Sequence, residues 1–248
     1  MSHFQFGQSE ENPNYSGLNE LLMAESFLKN YSSHIVNLIC KFSEIDLTEN
    51  TRVMEFGAGT GQLAIQFSQT TGIKPVCIEI DPALRFQLTA KNLIAFASVK
   101  NLEGTPPDII YTSNVLEHIE NDTQVLIDLR NALSAGGSLA IYVPAIPLLF
   151  GEMDRRVGHF RRYTRDELVF KLSQAGFEIQ HIRYVDSLGV LATLITNLVG
   201  YKNRYGLGSK FSMILYDNFF FKISQILDLL GFKFFLGKNL FVVAKISK

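Results

Sequence analysis

Val53-Met54-Glu55-Phe56-Gly57-Ala58-Gly59-Thr60-Gly61-Gln62-Leu63 carries an apolar strand, closed by a carboxylate, straight into three alternating glycines and the start of a helix. Glycine is needed where the backbone turns sharply and a ligand comes close, because a Cβ would clash or forbid the required φ. The helix behind such a turn aims unpaired N–H groups at whatever occupies it. Glu55 sets this turn apart from a pyrophosphate site, since its charge repels a phosphate and attracts an ammonium. The pattern predicts a nucleotide-like cofactor with a cationic head.

Gly59-Thr60-Gly61-Gln62-Leu63-Ala64 also satisfies the G-x-G-x-x-G/A dinucleotide fingerprint. The next strand, Pro75-Val76-Cys77-Ile78-Glu79-Ile80-Asp81, leaves both readings open. Its acid Glu79, 18 positions after Gly61, suits a ribose diol in either case. Asp81 before Pro82 has the form of a helix N-cap.

The third block separates the two readings. Asp108-Ile109-Ile110-Tyr111-Thr112-Ser113-Asn114-Val115-Leu116-Glu117-His118-Ile119 precedes a helix and then Ser134-Ala135-Gly136-Gly137-Ser138-Leu139-Ala140-Ile141-Tyr142-Val143-Pro144. With EFGAGTG, CIEID, DIIYTSNVLEHI and LSAGGSLAIYVPA in this order, the chain resembles the class I S-adenosylmethionine-dependent methyltransferases over residues 50–185. The resemblance implies S-adenosylmethionine as cofactor and S-adenosylhomocysteine as product. It puts the methionine moiety on Glu55, Gly57, Ala58, Gly59 and Gly61, and the ribose on Glu79 beside Ile80. Ser113, Asn114, Val115, Glu117 and His118 would face the methyl group. Only 29 positions separate Glu79 from Asp108, which leaves a cramped third strand around Ile94–Val99. The adenine contact stays open between Asn101, Glu103 and the backbone near Ser98–Val99.

Strand and helix patterns alternate from Thr51 onward. Strands are expected near 52–56, 75–80, 94–99, 108–112 and 138–143, with helices near 61–70, 82–91 and 122–133. Such alternation predicts an α/β fold with a mostly parallel sheet covered on both faces and ligands at the carboxyl ends of the strands. The family likeness makes this a Rossmann-like seven-stranded sheet. An N-terminal helical arm (1–48) precedes the cofactor-binding core (49–186), and an apolar helical insertion (187–237) precedes a closing strand (238–248), all as one domain. Helical spacing through Leu18–Lys41 marks the arm, and Tyr15 or Tyr31 could touch the methionine end or simply pack.

Met153-Asp154-Arg155-Arg156-Val157-Gly158-His159-Phe160-Arg161-Arg162-Tyr163-Thr164 reads as a loop on the substrate side, and Thr164 as the N-cap of a helix over Glu167–Gln174. The arginine pairs offer planar forks to a carboxylate or phosphate. VGHFRRYT resembles a recurring feature of a bacterial subgroup of these methyltransferases, some associated with glycan or lipid-linked sugar pathways. Arg161, Arg162 and Tyr163 are the candidate substrate contacts, and the implied acceptor is a small molecule, a glycan or a lipid-linked group. Methyl transfer draws much of its rate from alignment of the reactants. If the acceptor is a hydroxyl, His118 and His159 are the candidate catalytic bases. His3, His34 and His181 form no ligand cluster, and no metal is expected.

The composition excludes other classes. With 248 residues, 47% of them hydrophobic, the chain can bury one sizeable core. A net charge of −1 and no dense basic stripe argue against nucleic acid as substrate. Cys40 and Cys77 lack C-x-x-C spacing and read as reduced core residues. The N-terminus lacks a basic start and apolar stretch, so the expected compartment is the cytoplasm. Beyond a strand over Phe177–Asp186, the apolar helix from Leu188 to Gly200 is too short to span a bilayer, Tyr201-Lys202-Asn203-Arg204 interrupts it, and a second helix is expected over Lys210–Leu230. These aromatics either pack on the N-terminal helix or, left exposed across 187–230, mark a homodimer face, a peripheral membrane contact or a lipid pocket. The alternatives to catalysis are a module on the same fold that binds an adenosyl ligand or a partner, and then an NAD-dependent dehydrogenase.

Overall fold

The structure, a computed structural model, describes residues 22–23, 26–102, 104–199 and 210–247. The expected polar arm, Tyr15, Glu103 and the interruption at 201–204 lie outside them. Seven strands form one sheet: β1 Val53–Phe56, β2 Val76–Ile78, β3 Ala95–Phe96, β4 Ile109–Ser113, β5 Ser138–Pro144, β6 Phe177–Val185 and β7 Asn239–Ile246. Their order is β3-β2-β1-β4-β5-β7-β6, and only β7 runs antiparallel to its neighbours. The third strand is as cramped as its spacing requires, with two residues paired to Cys77 and Ile78.

Helices α1 Lys29–Phe42, α2 Gln62–Thr71, α3 Pro82–Ala90, α4 Asp122–Ala132 and α6 Arg165–Gln174 flank the sheet, and α5 Glu152–Arg156 is a short helix after β5. Side chains alternate across a strand, so β1 and β4 feed two cores. Met54 and Ile110 pack with Leu126, Leu129 and Leu168 on one face. Val53, Ile109 and Tyr111 pack with Ile35, Ile39 and Phe67 on the other. Cys77 is buried and Cys40 half-buried, both as free thiols.

Local chemistry fixes the helix starts. Asp81 Oδ1 accepts from Ala83 N at 2.7 Å and Leu84 N at 3.3 Å, with Pro82 in the first turn of α3. Asn121 caps α4 through Gln124 N, and Thr164 caps α6 through Glu167 N. The segment before Thr164, expected as a loop throughout, instead begins with α5, whose first turn is closed by Asp154 Oδ2 accepting from Gly151 N at 2.9 Å.

Among its described residues the insertion contains α7 Ser187–Val199, α8 Lys210–Leu215, α9 Phe221–Leu229 and a 3₁₀ turn at Phe232–Phe234. The single helix expected over Lys210–Leu230 runs without a break from Lys210 to Leu229, with one wide π turn at Tyr216–Phe220 inside it. Such a turn inserts a residue and re-aims its side chains. Here it buries Asp217, whose carboxylate accepts from Asn30 N and Tyr31 N at 2.9 Å and so caps α1 across 187 and 186 residues of chain. Phe221 then packs on Tyr31 and His34 at ring distances of 5.1 and 5.5 Å. Phe221 thus packs on the N-terminal helix, one of the two expected outcomes, while Phe211, Phe219 and Phe220 stay exposed. Asp217→Ala should lower stability by about 1–2 kcal/mol through loss of that cap, read as the denaturant midpoint; an unchanged midpoint would show the cap to be dispensable. Leu198, Phe211, Leu229 and Phe235 remain mostly exposed, and among the described residues no helix is long and apolar enough to cross a membrane.

Candidate functional site

In a sheet ordered β3-β2-β1-β4-β5, successive connections leave β1 in opposite directions, and the crevice at the carboxyl ends of β1 and β4 is the topological switch point. The glycine turn and the Asn114–His118 segment both lie there. Gly57, Gly59 and Gly61 have φ of +75°, +54° and +83°. A Cβ on Gly57 would stand 2.4 Å from Val115 Cγ2, which ties the two segments together. Gly57 N and Ala58 N are held by Ile78 O at 2.8 and 3.0 Å. Asn114 takes φ +53°, which asparagine tolerates better than most residues, and its N donates to Tyr142 O at 2.8 Å.

Glu55 is only 3% exposed. Tyr111, its register neighbour on β4, donates from its hydroxyl to Oε2 at 3.1 Å. Burial pushes the Glu55 carboxyl up to about 8, with Tyr111 opposing and Glu79 reinforcing the shift, and no basic group among the described residues offsets it. Glu79 ends β2 and accepts from Gly59 N at 2.7 Å and Asp81 N at 2.9 Å, bracing the glycine turn; burial raises its pKa as well. Each Glu79 oxygen keeps acceptor capacity for a further donor. Ile80 beside it is 43% exposed. Asn101 sits exposed in a 3₁₀ turn, and Ser98 Oγ accepts from Lys100 N.

The second half of the site joins the turn after β4 to the segment after α5. The His118 and His159 rings meet edge to face at 4.5 Å. Asp154 Oδ1 lies 2.8 Å from His159 Nδ1 and accepts from Arg162 Nε at 2.9 Å. His159 Nε2 thereby faces Glu117, at 3.8 Å from Oε1. Glu117 is fully buried, neither carboxylate oxygen has a hydrogen-bond partner among the described residues, and desolvation pushes its carboxyl up to about 8. Desolvation, and then the neighbouring His159, push His118 down to about 3, while the backbone at Gly158 and Val157 pulls the other way. His118 is therefore neutral near pH 7.

Arg161, Arg162 and Tyr163 are tied inward. Arg161 donates to Asp122 Oδ2 at 2.9 Å and Glu120 O at 2.8 Å. Tyr163 OH donates to the same Asp122 oxygen at 2.7 Å, and Lys171 Nζ bonds both Asp122 oxygens. Arg162 is 6% exposed and Tyr163 fully buried. Tyr31 also packs: its ring meets Tyr142 at 5.8 Å, and its hydroxyl accepts from Asn239.

A family model for the methyltransferase domain matches residues 27–182, more than half of the chain. The chain belongs to the methyltransferase-domain family. A SAM-dependent methyltransferase from Archaeoglobus fulgidus is similar with a TM-score of 0.58 and 16% identity, covering 91% of this chain and 99% of that one. A chain of the complex between the Haloferax volcanii Trm112 methyltransferase activator and the putative methyltransferase gives a TM-score of 0.63 at 12% identity, over 96% and 99%. Haemonchus contortus phosphoethanolamine N-methyltransferase 2, in complex with S-adenosyl-L-methionine, gives 0.62 at 13%, over 100% of this chain and 61% of that one. At such identities the likeness shows the fold alone. No curated protein matches the chain by sequence.

Three partners in this methyltransferase domain escape a reading of the sequence. Tyr111 meets Glu55 only through the β1–β4 register. Asp122 and Asp154 have the appearance of ordinary helix-start acids until the fold brings Arg161, Arg162 and His159 onto them. Asp154, five positions before His159 across Gly158, left a faint signal, because a turn there brings the two side chains together.

Proposed function

We propose that the chain is an S-adenosylmethionine-dependent methyltransferase acting on a small-molecule, glycan or lipid-linked acceptor. The observation that carries this reading is Glu55, a buried carboxylate facing a glycine turn without a basic group among the described residues to offset it. A pyrophosphate there would meet Glu55 and Glu79 as like charges, whereas an ammonium supplies the counter-charge Glu55 lacks. When bound, S-adenosylmethionine supplies an electrophilic methyl group and is left as S-adenosylhomocysteine.

In this reading Glu55 holds the ammonium, and the backbone of Gly57, Ala58, Gly59 and Gly61 admits the methionine moiety. Glu79 accepts from the ribose while Ile80 covers an apolar surface beside it. Asn114 and Val115 line the methyl side. His159 donates from Nδ1 to Asp154, which leaves Nε2 able to accept a proton from an acceptor hydroxyl. His118, neutral and buried, supports that ring and is the second candidate for the role. Arg162 orients Asp154, while Arg161 and Tyr163 anchor the loop to Asp122 and present its outer face to the acceptor. The domain comprises residues 1–248 with the boundaries expected above. The VGHFRRYT string favours a glycan or lipid-linked acceptor, and the exposed apolar side chains of 187–230 favour a membrane surface or a second copy of the chain.

The direct experiment is transfer of labelled methyl groups from S-adenosylmethionine to fractionated aqueous and lipid extracts. Wild-type protein should label one fraction. His159→Ala should lower that rate by about 10²-fold with cofactor affinity nearly intact, and equal rates would remove His159 from the chemistry.

A pH dependence follows from Glu55. Its carboxyl is raised to about 8 without ligand, and pairing with an ammonium requires the ionised form. Cofactor affinity should therefore climb by about tenfold per pH unit as pH rises toward 8, with a proton released on binding, and then level off. Calorimetry in buffers of different ionisation enthalpy reads that proton; affinity independent of pH between 6 and 8 would contradict the pairing.

A further inference from the structure

We propose that Glu117, His118 and His159 form a binding site for a divalent transition-metal ion. Each offers one ligand atom, and the three atoms lie within 4.8 Å of one another. Around a tetrahedral ion with bonds of about 2.1 Å, donors stand about 3.4 Å apart, so a closure of about an ångström completes the site. The Glu117–His159 pair, at 3.8 Å, is nearly there already.

Two independent observations point to a ligand. The first is Glu117 itself: among the described residues neither of its buried oxygens has a hydrogen-bond partner, so both are open to a cation, whose arrival would stabilise the ionised form that burial disfavours. Arg162, a buried cation of the loop, bonds Asp154 and Ala145 O. The second is the support behind the histidines. Metal-binding imidazoles donate their other N–H to a carboxylate or a backbone carbonyl, which fixes tautomer and aim. Asp154 takes this part for His159, itself held by Arg162 and Gly151 N. The backbone at Val157 and Gly158 meets the His118 ring in the same manner. The His159 side chain is 14% exposed, against 0% for Glu117.

Two imidazoles and one carboxylate suit zinc, cobalt, iron, nickel or manganese and disfavour magnesium, which prefers oxygen ligands. The binding site stands on this geometry whatever the cofactor is. Its use in polarising an acceptor oxygen, in place of proton removal by a free imidazole, rests on the methyl-transfer reading.

The test is titration of chelator-treated full-length protein with cobalt(II), followed by visible absorption. Stoichiometric cobalt with d–d bands, displaced by zinc and indifferent to excess magnesium, is the expected result. Glu117→Gln and His159→Ala should each weaken cobalt by at least about tenfold, and Asp154→Asn, which keeps all three ligands, by about 10–100-fold. Absence of the bands in folded wild-type protein would overturn the proposal without recourse to any variant, as would unchanged affinity in folded Glu117→Gln and His159→Ala. S-adenosylmethionine binding measured on the same samples keeps the two readings apart: cobalt without the adenosyl ligand sinks the cofactor assignment alone, and the adenosyl ligand without cobalt sinks the metal site alone.

Discussion

Glu55→Gln is expected to weaken S-adenosylmethionine by about 30-fold or more, because truncating one partner of a buried charge pair costs about 2–5 kcal/mol. The amide keeps the shape of the side chain and can still meet Tyr111, so the fold should persist. Loss of the buried carboxylate should in fact ease the ligand-free protein at higher pH. A carboxyl whose folded pKa is raised to about 8 favours the folded state below its unfolded value near 4.5, and that contribution is lost as pH rises through 8. The expected signature is thus split: a weaker cofactor complex, with a melting temperature equal to or above that of the wild type at pH 8. Unchanged affinity in the folded variant would remove Glu55 from the cofactor site.

Gly57→Val is expected to act on the fold as well as on the ligand. The φ of +75° suits glycine and strains a β-branched residue by about 1–3 kcal/mol. The new Cβ would also lie 2.4 Å from Val115, an overpacking that costs about 1–3 kcal/mol more. Together these predict a loss of about 2–6 kcal/mol, read as the denaturant midpoint, with adenosyl binding abolished at the temperatures where the variant stays folded. A variant as stable as the wild type would mean that the turn relaxes away from Val115. Val115→Ala in the same chain should restore part of the stability if the clash is the cause.

The glycine turn, the acid at the end of β2 and the parallel order of the core were legible because each is written within a few residues. An apolar run, a turn residue and a cap together leave the backbone few choices. The short third strand was equally legible, since 29 positions had to hold a helix, a strand and a return. What stayed hidden depends on distant segments meeting. The π turn inside the Lys210–Leu229 helix makes sense only once Asp217 is seen capping α1, a contact that no periodicity within 210–230 could reveal. The arginines of 155–162 read as forks for a ligand, and two of them proved to be clamps on Asp122 and Asp154. The meeting of Glu117, His118 and His159 escaped for the same reason. Glu117 and His118 are adjacent, but the third ligand comes from a segment beyond the whole of α4 and β5, and ligand spacing along the chain is informative only when the donors share a turn or a helix.

The central claim is that the crevice between β1 and β4 holds an adenosyl ligand with a cationic head. Calorimetric titration of the purified protein with S-adenosylmethionine, S-adenosylhomocysteine and NAD in parallel tests it most directly. Micromolar binding of both adenosyl ligands with none of NAD is the expected result. Preference for NAD, or no binding of any of the three by folded protein, would contradict it.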